Sequence, residues 1–466
     1  MNKPDIELNE KIHFIGIGGI GMSGLAQVMK TMGFKVQGSD LVNSKNVERC
    51  KRIGIKVFRT HNKKNIQDCT IVVKSSAVKD SNPEIKAAKE KKLNILKRAE
   101  MLAHVVSLKT NIVITGSHGK TTTTSLISKI LSTAKLDPTI INGGVINSFN
   151  SNAKLGKGDW AILEADESDG SFVHVPSTYS IITNIDREHM DFYDSMDQLK
   201  NSFIQFIEKV PSFGKSFVCI DDKINHSLIK RLKSNNFYTY GTNPKSNFFI
   251  KKINQNIKYT EFDLSTNVPN KKKLLIKNIK IPLLGIHNVR NAVAATAVAL
   301  TIGISVKDIK KGLLNFKGVE RRFSKIFRYN NIDFYDDYAH HPTEIKMVLD
   351  GVNKVYPNFE KVCIFQPHRI SRLKDLKKEF SFAFRNADTV ILCPIFTAGE
   401  KIKLGFKYSS FAKEIIKNSK VKLFLVNDLK QLAIFLKRNM YGKKIVIGMG
   451  AGSISSWIKT LPKLMK

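Results

Sequence analysis

Two glycine-rich turns, each placed between a short apolar run and a helix-like segment, constrain the fold of this chain more than any other feature. The first is GIGGIG at residues 16–21, which overlaps the end of the apolar run IHFIGI at 12–17. The second is TGSHGKTTTT at residues 115–124, which follows NIVIT at 111–115. A strand that leads through glycines into a helix is the repeating unit of doubly wound parallel sheets. We therefore expect an α/β protein with both turns at the carboxyl edge of a sheet.

The chain has 466 residues, of which 42% are hydrophobic, and this is too long for one ordinary hydrophobic core. Strand, glycine turn and helix first alternate to about residue 78, a second α/β pattern begins at residue 111, and a third set of strands follows residue 321. We predict three α/β domains at residues 1–107, 108–320 and 321–466, the first and third of them Rossmann-like. Short alternating runs between about residues 216 and 285 predict antiparallel strands added at one edge of the central domain.

The formal net charge of +36 makes a basic, nucleic-acid-binding ATPase one alternative function. However, the 76 lysines and arginines are spread along the whole chain, without a basic arm or a basic patch interleaved with aromatic residues. We interpret the excess as a compositional bias in lysine and expect no nucleic-acid partner.

The sequence predicts no membrane insertion. No apolar run reaches the ~18–20 residues that a membrane span requires. The first residues include acidic side chains and lack a signal-peptide pattern. The five cysteines are scattered without a CxxC pair, which is typical of a reduced compartment and offers no metal framework. We expect a cytoplasmic protein, and the sequence gives no indication of its oligomeric state.

The first turn satisfies the pattern G-x-G-x-x-G through Gly16, Gly18 and Gly21, and Asp40 follows at the end of the next predicted strand. This is the dinucleotide-binding pattern, in which the helix start receives a pyrophosphate and the acid receives a ribose hydroxyl. A nicotinamide-dependent dehydrogenase is therefore one interpretation. The pattern requires only a diphosphate attached to a ribose, so a nucleotide sugar fits equally well.

The second turn is a shortened phosphate loop, because Ile114 stands where G-x-x-x-x-G-K-[ST] requires its first glycine. Successive N–H groups between a strand and a helix can still converge on phosphate oxygens. Lys120 can neutralise the β- and γ-phosphates of a nucleotide, and the Thr121 hydroxyl can reach Mg²⁺. We therefore predict an ATP-binding loop.

Two acidic segments follow the next predicted strands, EADESDGS at 164–171 and NIDREHMD at 184–191. Neighbouring parallel strands bring their carboxyl ends to one sheet edge, so both segments are expected beside the phosphate loop. Mg²⁺ prefers such oxygen ligands. The sequence therefore predicts a magnesium site at this edge.

An ordered set of motifs spans all three predicted domains, from residue 13 to residue 372: GIGGIGMSG, TGSHGKTTTTS, EADESDGSF, TNIDREHMDFY, GIHNVRNAVAA, GVERRF, DDYAHHPTEI and QPHRISR. In this order they resemble the Mur ligases. The shortened T-G-x-x-G-K-T-T loop is similar to that family's own form of the phosphate loop. The resemblance implies a nucleotide-sugar domain, a central P-loop-type ATPase domain and an amino-acid-binding domain, in that order.

The resemblance also implies roles for individual residues. The sugar nucleotide would be bound by Gly18, Gly19, Gly21 and Asp40. The ATP phosphates would be bound by Gly116, Ser117, His118, Gly119, Lys120, Thr121 and Thr122. The rest of the nucleotide would contact His287, Asn288, Arg322 and Asp337. Mg²⁺ would be held by Thr121, Glu164 and His189, of which the histidine is the unusual ligand for a hard cation.

The amino acid would be bound by Tyr338, His340, Arg369 and Arg372, because a guanidinium fork suits a carboxylate. The catalytic residues so implied are Lys120, His189, His340, Arg369 and Arg372. The implied reaction is ATP-dependent ligation of L-alanine to the lactyl carboxylate of UDP-N-acetylmuramate through an acyl phosphate, a step of peptidoglycan precursor synthesis. An alternative is a related ligase that recycles whole murein peptides. The two arginines of QPHRISR favour capture of a free amino acid.

Overall fold

The computed structural model describes residues 10–75, 77–107, 109–190, 192–400 and 408–465. The described residues form two compact units. One contains those within 1–252, 262–281 and 290–317, and the other contains those within 253–261, 282–289 and 318–466. The first predicted domain and most of the second thus fall within one unit, and the predicted domain borders remain a prediction.

The N-terminal part of the first unit is a parallel sheet with the strand order β3-β2-β1-β4-β5. The parallel pairing of all five strands confirms the predicted Rossmann-like pattern. The GIGGIG turn follows the central strand and leads into the first helix. The elements are β1 (Lys11–Ile15), α1 (Ile20–Thr31), β2 (Lys35–Ser39), α2 (Lys45–Arg52), β3 (Lys56–Phe58), β4 (Ile71–Lys74), α3 (Pro83–Glu90), β5 (Asn94–Lys97) and α4 (Arg98–Val106).

The central sheet has the order β15-β14-β13-β12-β11-β10-β6-β9-β7-β8. Its elements are β6 (Thr110–Thr115), α5 (Lys120–Thr133), β7 (Thr139–Ile146), β8 (Ser151–Lys154), β9 (Trp160–Glu164), β10 (Tyr179–Ile182), α6 (Met196–Glu208), β11 (Lys215–Cys219), α7 (Lys223–Leu228), β12 (Phe237–Gly241), β13 (Phe248–Gln255), β14 (Thr260–Thr266), β15 (Leu275–Ile281), α8 (Ile286–Thr301) and α9 (Val306–Leu314). Strand β6 lies between β9 and β10, parallel to both. The two acidic segments therefore flank the phosphate loop, as predicted.

The prediction of antiparallel strands between residues 216 and 285 is wrong for the first part of that range. Strands β11 and β12 are parallel to the sheet, and β13 starts parallel to β12. The connections from β13 to β15 are too short for parallel crossovers, so the added meander begins only at β13. Helices α6 and α7 precede β11 and β12, and the sequence analysis did not weigh them as crossovers. An antiparallel hairpin, β7–β8, forms the opposite edge and was not predicted.

Helix α1 packs on the β7–β8 hairpin, which joins the N-terminal and central sheets within the first unit. The buried Asn152 side chain donates a hydrogen bond to the carbonyl oxygen of Ile20, at the first turn of α1 (2.6 Å). A Cβ at Gly24 would lie 2.6 Å from the same Asn152 amide nitrogen, so α1 approaches the hairpin more closely than an alanine there permits. The helix start after GIGGIG is thereby fixed against the central domain.

The second unit contains an α/β sheet of order β16-β17-β21-β18-β19-β20, in which β16 is the antiparallel edge and the other pairings are parallel. This confirms the expected Rossmann-like character of the C-terminal domain. The elements are β16 (Ser324–Tyr329), β17 (Ile332–Asp337), α10 (Pro342–Val355), β18 (Glu360–Phe365), α11 (Ile370–Asp375), α12 (Lys377–Ala383), β19 (Thr389–Leu392), α13 (Tyr408–Ser419), β20 (Lys422–Leu425), α14 (Leu429–Asn439), β21 (Lys444–Met449) and α15 (Ile454–Met465).

Within the described ranges, the helices are all too short or too polar to cross a lipid bilayer.

Candidate active site

The phosphate loop joins the end of β6 to the start of α5, and two of its glycines are required by geometry. Gly116 and Gly119 have φ values of +122° and +87°, which side chains strongly disfavour. A Cβ at Gly116 would lie 2.7 Å from the carbonyl oxygen of Asn184. A Cβ at Gly119 would lie 2.6 Å from the side-chain oxygen of Asn291. The loop is therefore closely packed between the strand ends and Asn291 of α8.

Two amides that the sequence analysis expected at the phosphates are already engaged. The Ser117 N–H donates to the carbonyl oxygen of Asn184 (2.9 Å), and the His118 N–H donates to its side-chain oxygen (2.9 Å). The Asn184 side chain also donates to the carbonyl oxygen of His118 (2.9 Å). Asn184 thus occupies these two donors in the ligand-free protein, and the assignment of residues 116–122 to the ATP phosphates stays a prediction. The first N–H groups of α5 have no partner within the helix, which is the usual arrangement of a helix start that binds phosphate.

Lys120 lies folded against the loop. Its ammonium group donates to the Glu167 carboxylate (2.8 Å) and to the carbonyl oxygens of Gly116 (2.5 Å) and Ser117 (3.2 Å). Burial alone lowers the pKa of Lys120, but the charges of Glu167, Asp166 and Glu164 outweigh burial and raise it. Burial raises the pKa of Glu167, and the charge of Lys120 offsets only part of that effect. The lysine is thus fully charged and held by an anion.

Thr121 and Glu164, predicted as magnesium ligands, lie side by side. The Thr121 hydroxyl donates to one Glu164 oxygen (3.1 Å), and the N–H of Gly143 donates to the other (2.7 Å). The third predicted ligand, His189, lies next to a different carboxylate, with its Nε2 atom 3.7 Å from Glu167. The structure therefore joins two of the three predicted ligands directly.

Asp166, Glu167 and His189 form a second polar cluster, in which potential ligand atoms all lie within 4.8 Å of one another. Burial raises the pKa of Asp166, but the charges of Lys120, Arg98 and His189 outweigh burial and lower this pKa to about 2. Asp191, the last acid of the NIDREHMD segment, lies outside the described residues. The sequence analysis had placed Asp166 and Glu167 at this edge but had assigned them no contact.

In the first glycine turn, Asp40 is bonded to the turn itself. Its carboxylate accepts hydrogen bonds from the N–H groups of Gly18 (2.8 Å) and Val42 (2.9 Å). Gly19 caps the start of α1. Because each carboxylate oxygen accepts more than one hydrogen bond, Asp40 retains capacity for a ribose hydroxyl. The predicted sugar-nucleotide residues therefore lie together at one strand edge.

In the second unit, Asp337 and Arg322 lie near the end of β17. The Asp337 carboxylate accepts from the N–H groups of Phe323 (2.7 Å) and Ala339 (2.8 Å), and burial raises its pKa to about 6. The Arg322 guanidinium lies 5.4 Å from the Tyr338 ring centre. Asp337 was predicted to bind ribose hydroxyls, and the structure shows that it also closes the turn around Phe323.

Two predicted amino-acid-binding residues, His340 and Arg372, lie next to His368, and a third, Tyr338, packs against His340. The Tyr338 and His340 rings are 5.1 Å apart, and the His340 and His368 rings are 5.8 Å apart. Arg372 lies 3.2 Å from His368 Nδ1. Burial, followed by the charges of its neighbours, lowers the pKa of His368 to about 3, so this ring is neutral and accepts from Arg372. The sequence analysis had left His368 without a role.

Arg369 immediately precedes α11 and has a φ of +65°, and its N–H donates to the carbonyl oxygen of Phe396 (2.9 Å). His287 and Asn288 lie at the start of α8, where the Asn288 side chain donates to the carbonyl oxygen of Leu284 (2.7 Å). These residues belong to the second unit, together with Arg322 and Asp337. The phosphate loop belongs to the first.

Three domain patterns match the chain in succession. The Mur ligase family catalytic domain matches residues 11–110, the Mur ligase middle domain matches residues 114–299, and the Mur ligase glutamate ligase domain matches residues 321–452. The chain belongs to the Mur ligase family.

Individual Mur ligases resemble the chain over nearly its full length. The UDP-N-acetylmuramate–L-alanine ligase of Pelagibacter ubique is 66% identical over 463 residues, which are 99% of this chain and 100% of the relative. The ligase of the same name from Bartonella tribocorum is 42% identical and covers 97% of this chain and 95% of the relative. The crystal structure of UDP-N-acetylmuramate-alanine ligase MurC from Thermotoga maritima has a TM-score of 0.82 at 28% identity, and the match covers 98% of this chain and 99% of that structure.

A murein peptide ligase from Psychrobacter arcticus shares the fold, with a TM-score of 0.72 at 22% identity over 98% of this chain and 99% of that structure. The Mur ligase fold is therefore common to enzymes with different amino-acid or peptide substrates.

Proposed function

We propose that this Mur ligase joins L-alanine to the lactyl carboxylate of UDP-N-acetylmuramate, with conversion of ATP to ADP and phosphate. One observation carries this proposal: 66% identity across 99% of the chain to a UDP-N-acetylmuramate–L-alanine ligase. The enzyme then acts in peptidoglycan precursor synthesis, and we place it in the cytoplasm. Its substrates are small molecules, namely the sugar nucleotide, ATP and the free amino acid.

The first chemical step makes the carboxylate reactive. A lactyl carboxylate oxygen attacks the γ-phosphorus of ATP, the bond to the β-phosphate oxygen breaks, and ADP leaves. The chain's part is to position the phosphates at the start of α5 and to stabilise their charge with Lys120. For this step the ammonium group leaves the Glu167 carboxylate and takes up a phosphate oxygen.

The second step forms the amide. The neutral amine of L-alanine attacks the acyl carbon, a proton leaves the nitrogen, and phosphate departs. We assign Arg369 and Arg372 to the alanine carboxylate, because a guanidinium fork binds a carboxylate through two parallel hydrogen bonds. Neutral His368 holds Arg372 by accepting a hydrogen bond, and His340 and Tyr338 line the same site. Water must be excluded meanwhile, since it would hydrolyse the acyl phosphate.

Mg²⁺ fits the residues beside the phosphate loop. The Thr121 hydroxyl and the Glu164 carboxylate are adjacent oxygen donors, and Glu164 is already oriented by the Gly143 N–H. His189 reaches the neighbouring Glu167 and would complete the set as a nitrogen donor. When bound, the ion would supply positive charge at the phosphate oxygens.

The alternative interpretations leave parts of the chain without a role. A nicotinamide-dependent dehydrogenase would use GIGGIG but not Lys120 or the acids around it. A murein-peptide-recycling ligase shares the fold, but the matching structure is only 22% identical to this chain. A nucleic-acid-dependent ATPase rests on net charge alone.

One assay separates these functions. Phosphate release from ATP is measured with UDP-N-acetylmuramate plus L-alanine, with UDP-N-acetylmuramate plus a murein tripeptide, and with DNA. Hydride transfer to NAD⁺ is followed in parallel. Phosphate release that requires both UDP-N-acetylmuramate and L-alanine is expected. Equal or faster release with the tripeptide would overturn the proposal in favour of the recycling reaction.

A further inference from the structure

The guanidinium group of Arg98 lies against the first glycine turn. Arg98 is the first residue of α4, and its Nη1 atom is 2.6 Å from the position that a Cβ would occupy at Gly21. A side chain at Gly21 would therefore displace this guanidinium. The third glycine of GIGGIG thus leaves room for a cation at the start of α1.

Arg98 is partly buried at this position. Within the described part of the chain, no acceptor lies within hydrogen-bonding or ion-pair distance of its guanidinium. A guanidinium with five donors is thus placed against the glycine turn without a close protein partner.

We propose that Arg98 is a substrate-binding residue that contacts the diphosphate of the sugar nucleotide at the GIGGIG turn. The inference rests on the proposed function and adds a residue to it. The N–H groups at the start of α1 carry only partial positive charge, whereas a diphosphate carries about two full negative charges. The guanidinium supplies a full charge at the same place and matches phosphate oxygens through paired hydrogen bonds.

A purely structural role for Arg98 explains the geometry less well. A structural arginine would be expected within ion-pair distance of a carboxylate, as Lys120 is to Glu167. The Arg98 guanidinium has no such partner among the described residues and lies instead against the glycine turn.

The test is direct binding, measured by calorimetry with the full-length protein. Arg98→Met is expected to weaken the binding of UDP-N-acetylmuramate about 10- to 100-fold, the usual effect of losing a charged hydrogen bond. UDP itself should be weakened by a similar factor, because the contact is to the diphosphate. The affinity for ATP should stay unchanged. In steady-state kinetics the KM for UDP-N-acetylmuramate should rise while kcat changes little.

Lys97→Met is the matched control, since it removes an exposed positive charge one residue away. Its affinity for UDP should remain near that of the wild type. Equal losses in Lys97→Met and Arg98→Met would show a general charge effect and overturn the proposal. Loss of binding for UDP-N-acetylmuramate but not for UDP would also overturn it, because the contact would then be to the sugar or its carboxylate.

Two further outcomes keep the proposals apart. Failure of the wild type to bind UDP-N-acetylmuramate would refute the proposed function itself. Wild-type binding together with an unchanged dissociation constant in Arg98→Met would refute only the role of Arg98. If Arg98→Met does not fold, Arg98→Gln decides by the same criteria, since it keeps a polar side chain of intermediate length.

Discussion

Replacement of Lys120 by methionine tests the phosphate loop through stability as well as through activity. The Lys120 ammonium is only 13% exposed, and its partner Glu167 is 1% exposed. Methionine preserves most of the lysine's apolar stem but leaves the Glu167 carboxylate without its cation. The variant should therefore lose turnover because the γ-phosphate loses its ligand, and it should lose stability because a buried charge is left uncompensated.

The expected loss of stability follows from burial. Removing one partner of a buried ion pair costs about 3–5 kcal/mol in free energy of unfolding. The unit that contains Lys120 has about 300 residues. At about 1.6 °C per kcal/mol for a unit of that size, the melting temperature of the ligand-free variant should fall by roughly 5–8 °C. The measurement is made without ATP, because bound nucleotide would raise the melting temperature of the wild type.

The effect should depend on pH with a defined sign. Without Lys120, the folded-state pKa of Glu167 rises further above its ordinary value of 4.5, because burial then acts unopposed. A carboxyl whose folded pKa is raised favours folding below pH 4.5, and this advantage is lost as the pH rises through the folded pKa. The difference in melting temperature between the wild type and Lys120→Met should therefore grow from pH 5 to pH 8.

The double variant Lys120→Met/Glu167→Gln separates the two effects. The glutamine removes the carboxylate charge of Glu167, which is left without a cation in Lys120→Met. Most of the lost stability should therefore return, its pH dependence should disappear, and turnover should remain absent. The assay is thermal unfolding from pH 5 to pH 8, paired with L-alanine-dependent phosphate release. A melting temperature of Lys120→Met within about 2 °C of the wild type at pH 8 would refute the assigned ion pair. Wild-type turnover in either variant would refute the phosphate assignment.

Other variants test the remaining assignments. Arg372→Lys should raise the KM for L-alanine about tenfold or more, with the KM for ATP unchanged, because lysine cannot make the bidentate contact; an unchanged KM for L-alanine would place the carboxylate elsewhere. Thr121→Val should raise the Mg²⁺ concentration required for half-maximal phosphate release on the order of tenfold, and equal requirements would contradict the predicted ligand. Burial raises the pKa of Glu84, but the nearby His13 and the hydrogen bonds from Ser39 (2.6 Å) and Asn65 (2.6 Å) outweigh burial and lower this pKa to about 2. Glu84→Gln should therefore lower stability by about 3 kcal/mol near pH 7. Since a lowered acid pKa stabilises only above the unfolded value, this difference should shrink as the pH falls from about 4.5 to 2 in urea titrations.

The sequence predicted the parts of the fold that depend on local pattern. The glycines at 16–21 and 116–119 mark strand-to-helix turns because few other residues tolerate their backbone geometry, and the acidic strand ends at β9 and β10 follow from parallel topology. The orientation of β11 and β12 was missed, because short alternating runs do not distinguish an antiparallel strand from one reached through a helix.

Contacts within the candidate site were less predictable than its composition. Thr121 and Glu164 meet as expected, since strand β9 is the neighbour of β6. In contrast, Asn184 accepts hydrogen bonds from the N–H groups of Ser117 and His118. Glu167 accepts a hydrogen bond from the Lys120 ammonium group. These pairings depend on side-chain distances within loops, which have no periodic signal in the sequence. Arg98 was overlooked because its position beside Gly21 depends on how α4 packs against α1.

The charges around the phosphate loop indicate how the ligand-free protein stabilises three carboxylates that lie close together. Glu164, Asp166 and Glu167 are partly or fully buried close to one another, and such carboxylates repel unless cations lie among them. Lys120 provides that charge in the absence of nucleotide by bonding to Glu167. If Lys120 binds a nucleotide phosphate as proposed, binding of ATP would exchange one anion for another at its ammonium group, and the lysine would keep a partner throughout. The Glu167 carboxylate released in that exchange lies 3.7 Å from His189 Nε2. A cation bound there would compensate its charge, which would link nucleotide and metal binding to a single ion pair.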